Sequence, residues 1–261
     1  MSVVAIIPAR MASSRFPGKP LVSICGLSMI EHVRRRVSFC DLLDDVIVAT
    51  CDREIVAEIE RHGGKAVMTS QRHESCVDRV AEVASTIDAE LIINVQGDMP
   101  LVHPDSIKQL ISPLLKEKDC MVTDMMGPID DHQEVSSLHV VKVVVDKSGN
   151  ALYYSRAPIP FCKEKSIEGS LLRYKQFGIN AYRRSALFEF TRLSRTPLEK
   201  AESVDMLRLL ENGIPVRMVS FSFANIGIDV PEDLKLAEKL MESDALFGKY
   251  SKGKYENIYR A

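Results

Sequence analysis

Short hydrophobic runs alternate with amphipathic helix patterns through the first half of the chain. The runs are Val3 to Ile7, Asp45 to Thr50, Lys65 to Met68 and Leu91 to Gln96, and Pro8 ends the first of them. Runs rich in β-branched residues are typical of strands that are buried on both faces of a parallel sheet. The first half therefore predicts four strands, of which the first is a buried parallel strand.

Helix signals occupy the segments between these runs. Predicted helices start at the capping-box spacing Ser28-Met29-Ile30-Glu31 and run to about Phe39, from the N-cap Asp52 to His62, from about Val77 to Ser85, and from Pro104 onward. Repeated strand–helix units of this length predict a three-layer α/β fold. Its mainly parallel central sheet is covered by helices on both faces.

The second half of the chain has a different pattern. Leu138 to Asp146 and Ala151 to Tyr154 flank a turn at residues 147–150, which predicts an inserted antiparallel hairpin region. Further elements are predicted at residues 184–193, 198–211, 216–220 and 231–241, of which 216–220 is a strand and the rest are helices. We expect a single domain over residues 1–243, followed by a C-terminal extension, 244–261, of unknown role.

Composition narrows the class of protein. The net charge is −2, which favours neither nucleic-acid binding nor membrane-surface binding. No apolar stretch approaches the ~20 residues needed to cross a bilayer, and the N-terminus is typical of a first strand rather than a signal peptide. The six cysteines lack any C-x-x-C pair, which favours reduced thiols and a cytoplasmic location.

A basic segment, residues 8–20, follows the first predicted strand. It holds Arg10, Arg15 and Lys19, while the first acidic residue of the chain is Glu31. Open α/β sheets bind ligands at the carboxyl ends of their strands, and such a loop can surround a triphosphate with donors and positive charge. Neither a G-x-G-x-x-G motif nor a P-loop is present. The alternative is a solvated basic loop without a ligand.

Two aspartates are candidates for a metal site. Asp98 follows Gly97 after the fourth predicted strand, and Asp229 follows a short apolar stretch before a helix. Two carboxylates that converge on a triphosphate are what Mg²⁺ requires, and phosphoryl transfer uses such an ion to neutralise charge. The alternatives are a turn residue at Asp98 and a helix N-cap at Asp229.

Several segments together resemble one enzyme family, the 3-deoxy-manno-octulosonate cytidylyltransferases, also called CMP-KDO synthetases. The segments that carry the resemblance are Ile6-Ile7-Pro8-Ala9-Arg10, Arg15-x-Pro17-Gly18-Lys19-Pro20-Leu21, Asn94-Val95-Gln96-Gly97-Asp98-x-Pro100, Ala151-Leu152-Tyr153-Tyr154-Ser155-Arg156 and Asp229-x-Pro231-Glu232-Asp233-Leu234. The resemblance implies a nucleotide-diphospho-sugar transferase-like fold, a homodimer, CTP and an acidic 3-deoxy sugar as substrates, and Mg²⁺ as cofactor. It implies transfer of CMP to the anomeric hydroxyl with release of pyrophosphate, which activates a sugar for lipopolysaccharide synthesis.

Site residues follow from the resemblance and the loop together. The expected catalytic residues are Lys19, Asp98 and Asp229, of which Asp98 and Asp229 are the expected metal ligands. The expected nucleotide-binding residues are Pro8, Ala9, Arg10, Ser13, Arg15, Lys19, Ser75, Arg79 and Gln96. The expected sugar-binding residues are Arg15, Gln96, Lys142, Arg156, Gln176, Asn180, Asp205 and Met206. For Ser75 and Arg79 a helix N-cap and a first-turn charge are the alternative.

The chain departs from the family pattern mainly on the expected sugar side. Gln176 and Asn180 stand where the family commonly has His and Tyr, and Asp205-Met206 stands where it has Glu-Gln. His139 and Met99 replace an Asn and a Glu, and Cys76-Val77 replaces Gly-Thr near the nucleotide. These changes favour a modified sugar, for instance an amino-substituted one, and the alternative is neutral drift. A different acidic acceptor, such as a nonulosonate or phosphonate, and a catalytically silent paralogue are the other hypotheses.

The expected metal pair gives a first test. Asp98→Ala or Asp229→Ala should abolish Mg²⁺-dependent activity and leave the fold largely intact, because each change removes oxygen ligands without disturbing a predicted core. Pyrophosphate release with CTP and the sugar measures the activity, and circular dichroism checks the fold. Near-normal turnover in either variant would remove that residue from the site.

Overall fold

The computed structural model describes residues 1–12, 16–73, 75–221, 227–228 and 230–251. Within them the strands are β1 (Val3–Ala9), β2 (Ser23–Ile24), β3 (Leu27–Ser28), β4 (Asp45–Thr50), β5 (Lys65–Met68), β6 (Leu91–Asn94), β7 (Val122–Pro128), β8 (Lys142–Val145), β9 (Ala151–Ser155), β10 (Tyr174–Arg183) and β11 (Arg217–Ser220). The helices are α1 (Met29–Ser38), α2 (Arg53–Arg61), α3 (Cys76–Ser85), α4 (Pro104–Lys116), α5 (His132–Ser136), α6 (Arg184–Arg192), α7 (Pro197–Glu202), α8 (Met206–Glu211), α9 (Asp233–Glu242) and α10 (Ala245–Tyr250). Two short 3₁₀ segments lie at Lys19–Leu21 and Lys165–Ser170.

The central sheet has the strand order β11-β7-β10-β6-β1-β4-β5. Its pairs β1–β4, β1–β6, β4–β5 and β7–β11 are parallel. Strand β10 runs antiparallel to both of its neighbours, β6 and β7, so it alone is reversed along this path of described strands. The predicted α/β fold with a mainly parallel sheet is confirmed.

The core lies on both faces of this sheet. All seven residues of β1 are buried, and they alternate between the faces. Val4 and Ile6 belong to a cluster with residues of α3, α6 and α8, whereas Ala5 and Ile7 belong to a cluster with α1, α2 and α4. This alternation is the physical reason for the uninterrupted apolar run at the start of the chain.

The predicted hairpin is confirmed in β8 and β9, but its first arm is shorter than expected. The strand begins at Lys142 rather than at Leu138. The preceding residues form a turn whose Ser137 and Val140 carbonyls accept hydrogen bonds from the Lys142 ammonium, at 2.8 and 2.7 Å. Gly149 has a φ of 82° in the turn between the two strands, a conformation that glycine adopts without strain.

Other local predictions are corrected. The helix expected over residues 198–211 is two helices, α7 and α8, because Ser203 adopts a left-handed conformation with a φ of 51°. Ser28 and Asp52 occupy the N-cap positions of α1 and α2, but neither side chain forms a cap hydrogen bond. Asp52 Oδ2 instead accepts the Met11 backbone N–H at 2.7 Å. Strands β7 and β10 were not predicted from the sequence.

Helix α10 packs on α1. The Tyr250 hydroxyl lies 2.8 Å from His32 Nδ1, and the rings of His32, Phe247 and Tyr250 lie 5.5 to 5.7 Å apart. Arg36 Nη1 forms an ion pair with Asp244 Oδ2 at 2.5 Å. Burial lowers the pKa of His32 to about 4, so this imidazole stays neutral in the packed cluster. Residues 244–251 therefore bind the main body of the fold.

The described helices include none that is both long enough and apolar enough to cross a membrane.

The buried ion pair under α10 predicts a stability effect. Asp244→Ala should lower the free energy of unfolding by about 3 kcal/mol, because it leaves the fully buried Arg36 guanidinium without its anionic partner. Urea unfolding measures the change. Asp41→Ala is the matched control, since it removes an exposed carboxylate that pairs with Lys108, and it should change little. Equal effects of the two variants would contradict the role of α10.

Candidate active site

A cleft of about 1090 Å³ opens at the sheet edge where the parallel strands end. Residues that follow β6 line part of it, and residues of β10 line another part. The two strands are neighbours, with Asn180 of β10 paired in register with Asn94 of β6. The expected site residues that line it are Gln96, Asp98, Arg156, Gln176, Asn180 and Asp205. The reversed strand β10 thus brings Gln176 and Asn180, from the second half of the chain, to the same sheet edge as Gln96 and Asp98 from the first half.

Lys19 and Asp98 meet at this edge. Lys19 Nζ donates to Asp98 Oδ2 at 2.7 Å and to the Ile228 carbonyl at 2.5 Å. The Ile228 backbone N–H donates in turn to the Asp98 carbonyl at 3.0 Å. Asp229 lies outside the described residues, but its neighbour Ile228 bonds to Asp98 through its N–H and to Lys19 through its carbonyl.

Close packing of the neighbouring main chain brings Asp98 to Lys19. A Cβ on Gly97 would lie 2.9 Å from the Pro8 carbonyl oxygen, so only glycine allows the segment before Asp98 to approach the end of β1 so closely. Ile228 is fully buried in a cluster with Ile24, Met29 and Ala237. The approach of Asp98 to the basic segment is therefore a consequence of close main-chain packing on one side and apolar burial on the other.

The basic segment begins in β1, and a main-chain hydrogen bond joins Met11 to Gly18, just before Lys19. The Gly18 N–H donates to the Met11 carbonyl at 3.1 Å, and Asp52 holds the Met11 N–H. Ser13 and Arg15 lie outside the described residues. Among its lining residues, a small pocket beside the segment contains Pro8, Ala9, Arg10, Ser75, Cys76 and Arg79. The structure therefore gathers most of the expected nucleotide-binding residues.

Ser75 and Arg79 also have structural roles at the start of α3. Ser75 Oγ accepts the Val77 N–H at 3.0 Å as the helix N-cap. Arg79 is only 3% exposed and donates to Thr69 Oγ1 and to the Ser70 carbonyl. Both residues border the pocket while they stabilise the helix and the segment after β5.

Two expected sugar-binding residues do not reach the cleft. Lys142 is fully buried, and its ammonium donates to the carbonyls of Ser137, Val140 and Arg156. Burial lowers the pKa of this ammonium. Met206 is also fully buried and packs in the core between α8 and the sheet. Burial, which the family resemblance did not reveal, keeps both side chains out of the cleft.

Arg156 does line the cleft. Its Nε donates to the Glu202 carbonyl at 2.7 Å, Nη1 to the Leu138 carbonyl at 2.8 Å and Nη2 to the Ser203 carbonyl at 3.3 Å. A guanidinium has five N–H groups, so these three bonds fix the side chain and leave two N–H groups for another acceptor.

A buried carboxylate that the sequence interpretation missed lies beneath the cleft. Asp124 of β7 is fully buried, and its Oδ2 accepts hydrogen bonds from Tyr154 at 2.9 Å and from Gln176 Nε2 at 2.7 Å. Burial raises the pKa of Asp124 to about 7, against the lowering effect of these two donors. Burial, together with the charge of Glu199, also raises the pKa of Asp205. The available signal was an acidic residue within an otherwise apolar segment.

The comparisons with known proteins agree on one family. The cytidylyltransferase family model matches residues 4–220. The chain is 45% identical to the 3-deoxy-manno-octulosonate cytidylyltransferase of Geobacter metallireducens over 249 residues, which cover 92% of this chain and 98% of that one. The chain belongs to the 3-deoxy-manno-octulosonate cytidylyltransferase family.

Solved structures agree with this cytidylyltransferase assignment. A CMP:2-keto-3-deoxy-manno-octonic acid synthetase complexed with CTP matches with a TM-score of 0.87 and 36% identity, over 93% of this chain and 99% of that one. A cytidylyltransferase from Leptospira borgpetersenii matches with a TM-score of 0.62 over 93% of this chain and 87% of that one, and at 15% identity it shows the fold alone. The cleft therefore belongs to a cytidylyltransferase fold.

The buried Asp124 of this cytidylyltransferase predicts a pH dependence of stability. Its folded pKa of about 7 lies above the ordinary value near 4, so between these pH values the folded state holds a proton that the unfolded state has lost. The stabilisation is full below about pH 4 and is lost as the pH rises through about 7. Asp124→Asn should remove this contribution. Melting temperatures at pH 5 and pH 8 should therefore differ less in the variant than in the wild type, and equal differences would contradict the shift.

Proposed function

We propose that the protein transfers CMP from CTP to the anomeric hydroxyl of 3-deoxy-manno-octulosonate, or of a modified relative, and releases pyrophosphate. The observation that carries this proposal is the 45% identity over nearly the whole chain to a protein named for that activity. The likeness to a synthetase complexed with CTP, at a TM-score of 0.87, supports CTP as the nucleotide.

The reaction needs positive charge where pyrophosphate departs. The anomeric oxygen forms a bond to the α-phosphorus, the bond from that phosphorus to the β-bridging oxygen breaks, and the hydroxyl proton is released. The Lys19 ammonium binds Asp98, which lines the cleft, and its side chain is 12% exposed, which suits it to exchange the Asp98 carboxylate for a phosphate oxygen. Arg10, with Ser13 and Arg15, completes the proposed phosphate-binding segment.

Asp98 suits a hard divalent cation. Its side chain is 35% exposed, and within the described residues no donor contacts its Oδ1. Mg²⁺ is commonly held by one or two carboxylates and takes the rest of its ligands from substrate phosphates and water. We place Mg²⁺ on Asp98 and Asp229, where it would neutralise charge on the transferring phosphoryl group.

Other residues of the cleft suit the acidic sugar. Arg156 keeps two N–H groups for a carboxylate, a pairing that charge-assisted hydrogen bonds favour. Gln96, Gln176, Asn180 and Asp205 line the same cleft and carry the polar groups that sugar hydroxyls require. His139 and Met99 also line it, although Met99 is almost fully buried.

We also propose that the protein forms a homodimer. Several large apolar side chains are exposed on the second half of the chain, which suits a homodimer. They are Leu138 at 64%, Leu152 at 61%, Phe161 at 87% and Leu172 at 71% exposed. We further propose that the enzyme acts in the cytoplasm and activates the sugar for lipopolysaccharide synthesis.

Pyrophosphate release tests the proposed function directly. With Mg²⁺ and 3-deoxy-manno-octulosonate, only CTP among the four nucleoside triphosphates should support rapid turnover. Lys19→Ala should lower kcat/KM more than tenfold, a loss above ~1.4 kcal/mol, because it removes the charge that faces the departing pyrophosphate.

Lys65→Ala is the matched control for this variant. It removes an exposed lysine that pairs with Asp45 at the opposite edge of the sheet, and it should leave turnover unchanged. Lack of turnover with CTP and the sugar would refute the function. Equal kinetics of the two lysine variants would favour the alternative interpretation of the basic segment, a solvated loop without a ligand.

A further inference from the structure

Asp124 accepts three hydrogen bonds and has no exposed surface. The Met125 backbone N–H donates to Oδ1 at 3.0 Å, while the Tyr154 hydroxyl and Gln176 Nε2 both donate to Oδ2. Above its pKa of about 7, Asp124 is an ionised carboxylate that only accepts hydrogen bonds, so all three neighbours must then offer a hydrogen. Asp124 therefore determines which end of the Gln176 amide faces it.

Gln176 lies between this buried acid and the cleft. Its amide nitrogen is bound to Asp124 at 2.7 Å, and the residue itself lines the cleft. Among the residues that the structure describes, none donates a hydrogen bond to its carbonyl oxygen. The amide thus offers an acceptor, the carbonyl oxygen, to a ligand in the cleft.

The side-chain amide of a second glutamine, Gln96, has the same orientation, with its nitrogen bound to the protein. Gln96 Nε2 donates to the Gly178 carbonyl at 3.2 Å, which leaves its own carbonyl oxygen for the cleft. The carboxylates of Asp130 and Asp205 line the same space. This part of the cleft wall is accordingly rich in acceptors, and a ligand group beside it is favoured if it donates a hydrogen.

An asparagine at position 124 cannot preserve this arrangement. The Met125 N–H requires an oxygen on its side, so the amide nitrogen would take the place of Oδ2 and face Tyr154 and Gln176. The Tyr154 hydroxyl could then donate to Met218 Sδ, which lies 3.0 Å away. Gln176 has one way to satisfy the new donor, which is to turn its carbonyl toward it and its NH₂ group toward the cleft.

We propose that Asp124 is a positioning residue that holds the Gln176 carbonyl oxygen toward the cleft, so that this wall selects a hydrogen-bond donor on the acidic sugar. The inference rests on the proposed function, because it concerns the sugar end of that same cleft. Asp124 does not touch the substrate; it acts through Gln176.

The experiment compares steady-state kinetics of Asp124→Asn with those of the wild-type protein at about pH 8, where wild-type Asp124 is mostly ionised. The variant should raise KM for 3-deoxy-manno-octulosonate about tenfold or more, because a donor then faces the sugar donor. KM for CTP and kcat should stay within about threefold of wild type. A general structural defect would change all three constants together.

A reciprocal exchange supplies the rescue. In the double variant Asp124→Asn with Gln176→Glu, the new amide donates to one glutamate oxygen and the other faces the cleft as an acceptor. KM for the sugar should return to within about threefold of wild type. Tyr154→Phe is the matched control, because it disturbs the other donor on Asp124 Oδ2 but leaves the Gln176 bond, and it should not change KM for the sugar.

Gln176→Met tests the inference without touching the buried acid, in case Asp124→Asn does not fold. It removes the acceptor at similar side-chain length and should also raise KM for the sugar about tenfold. An unchanged KM for the sugar in Asp124→Asn or in Gln176→Met, or failure of the exchange to restore it, would overturn the inference while wild-type turnover still supports the proposed function. Lack of wild-type turnover with the sugar would overturn both.

Discussion

The ion pair between Lys19 and Asp98 joins the two parts of the chain on which the cleft depends. The 2.7 Å contact brings the segment after β1 to the segment after β6, and the bond from Lys19 to the Ile228 carbonyl adds a third segment from near the C-terminus. An ammonium and a carboxylate that are this close, and partly shielded from water, stabilise each other more than an exposed pair does. Under the proposed function, the same two groups would engage a metal-bound triphosphate.

Three buried ionisable groups elsewhere in the molecule have partners that replace water. Lys142 has three carbonyls, Arg36 has Asp244 and two carbonyls, and Asp124 has three donors. Groups of this kind cost free energy when a partner is lost, so they hold the surrounding elements in one arrangement. Lys142 and Asp124 bind the cleft residues Arg156 and Gln176, and Arg36 attaches α10 to α1.

The strands that were predicted and those that were missed differ in what their side chains face. Strands β1, β4 and β6 pack between two apolar layers, so their sequences are apolar runs that local pattern reveals. Strand β7 carries the buried Asp124, and β10 carries the buried Asn180, which accepts from Asn94 at 2.9 Å. These polar positions interrupt the apolar pattern, and their partners come from distant parts of the sequence.

Sequence alone was sufficient for the α/β architecture, the cytidylyltransferase family, and the expectation that Lys19 and Asp98 act together. Each of these depends on local hydrophobic periodicity or on short motifs that keep their chemistry wherever they lie. Only the tertiary structure decided that Lys142 and Met206 are buried behind the cleft, that Gln176 is held by Asp124, and that α10 binds α1. Those outcomes depend on which side chains meet across strands and helices, and the free energy of such contacts is determined by burial and partner geometry that no single segment encodes.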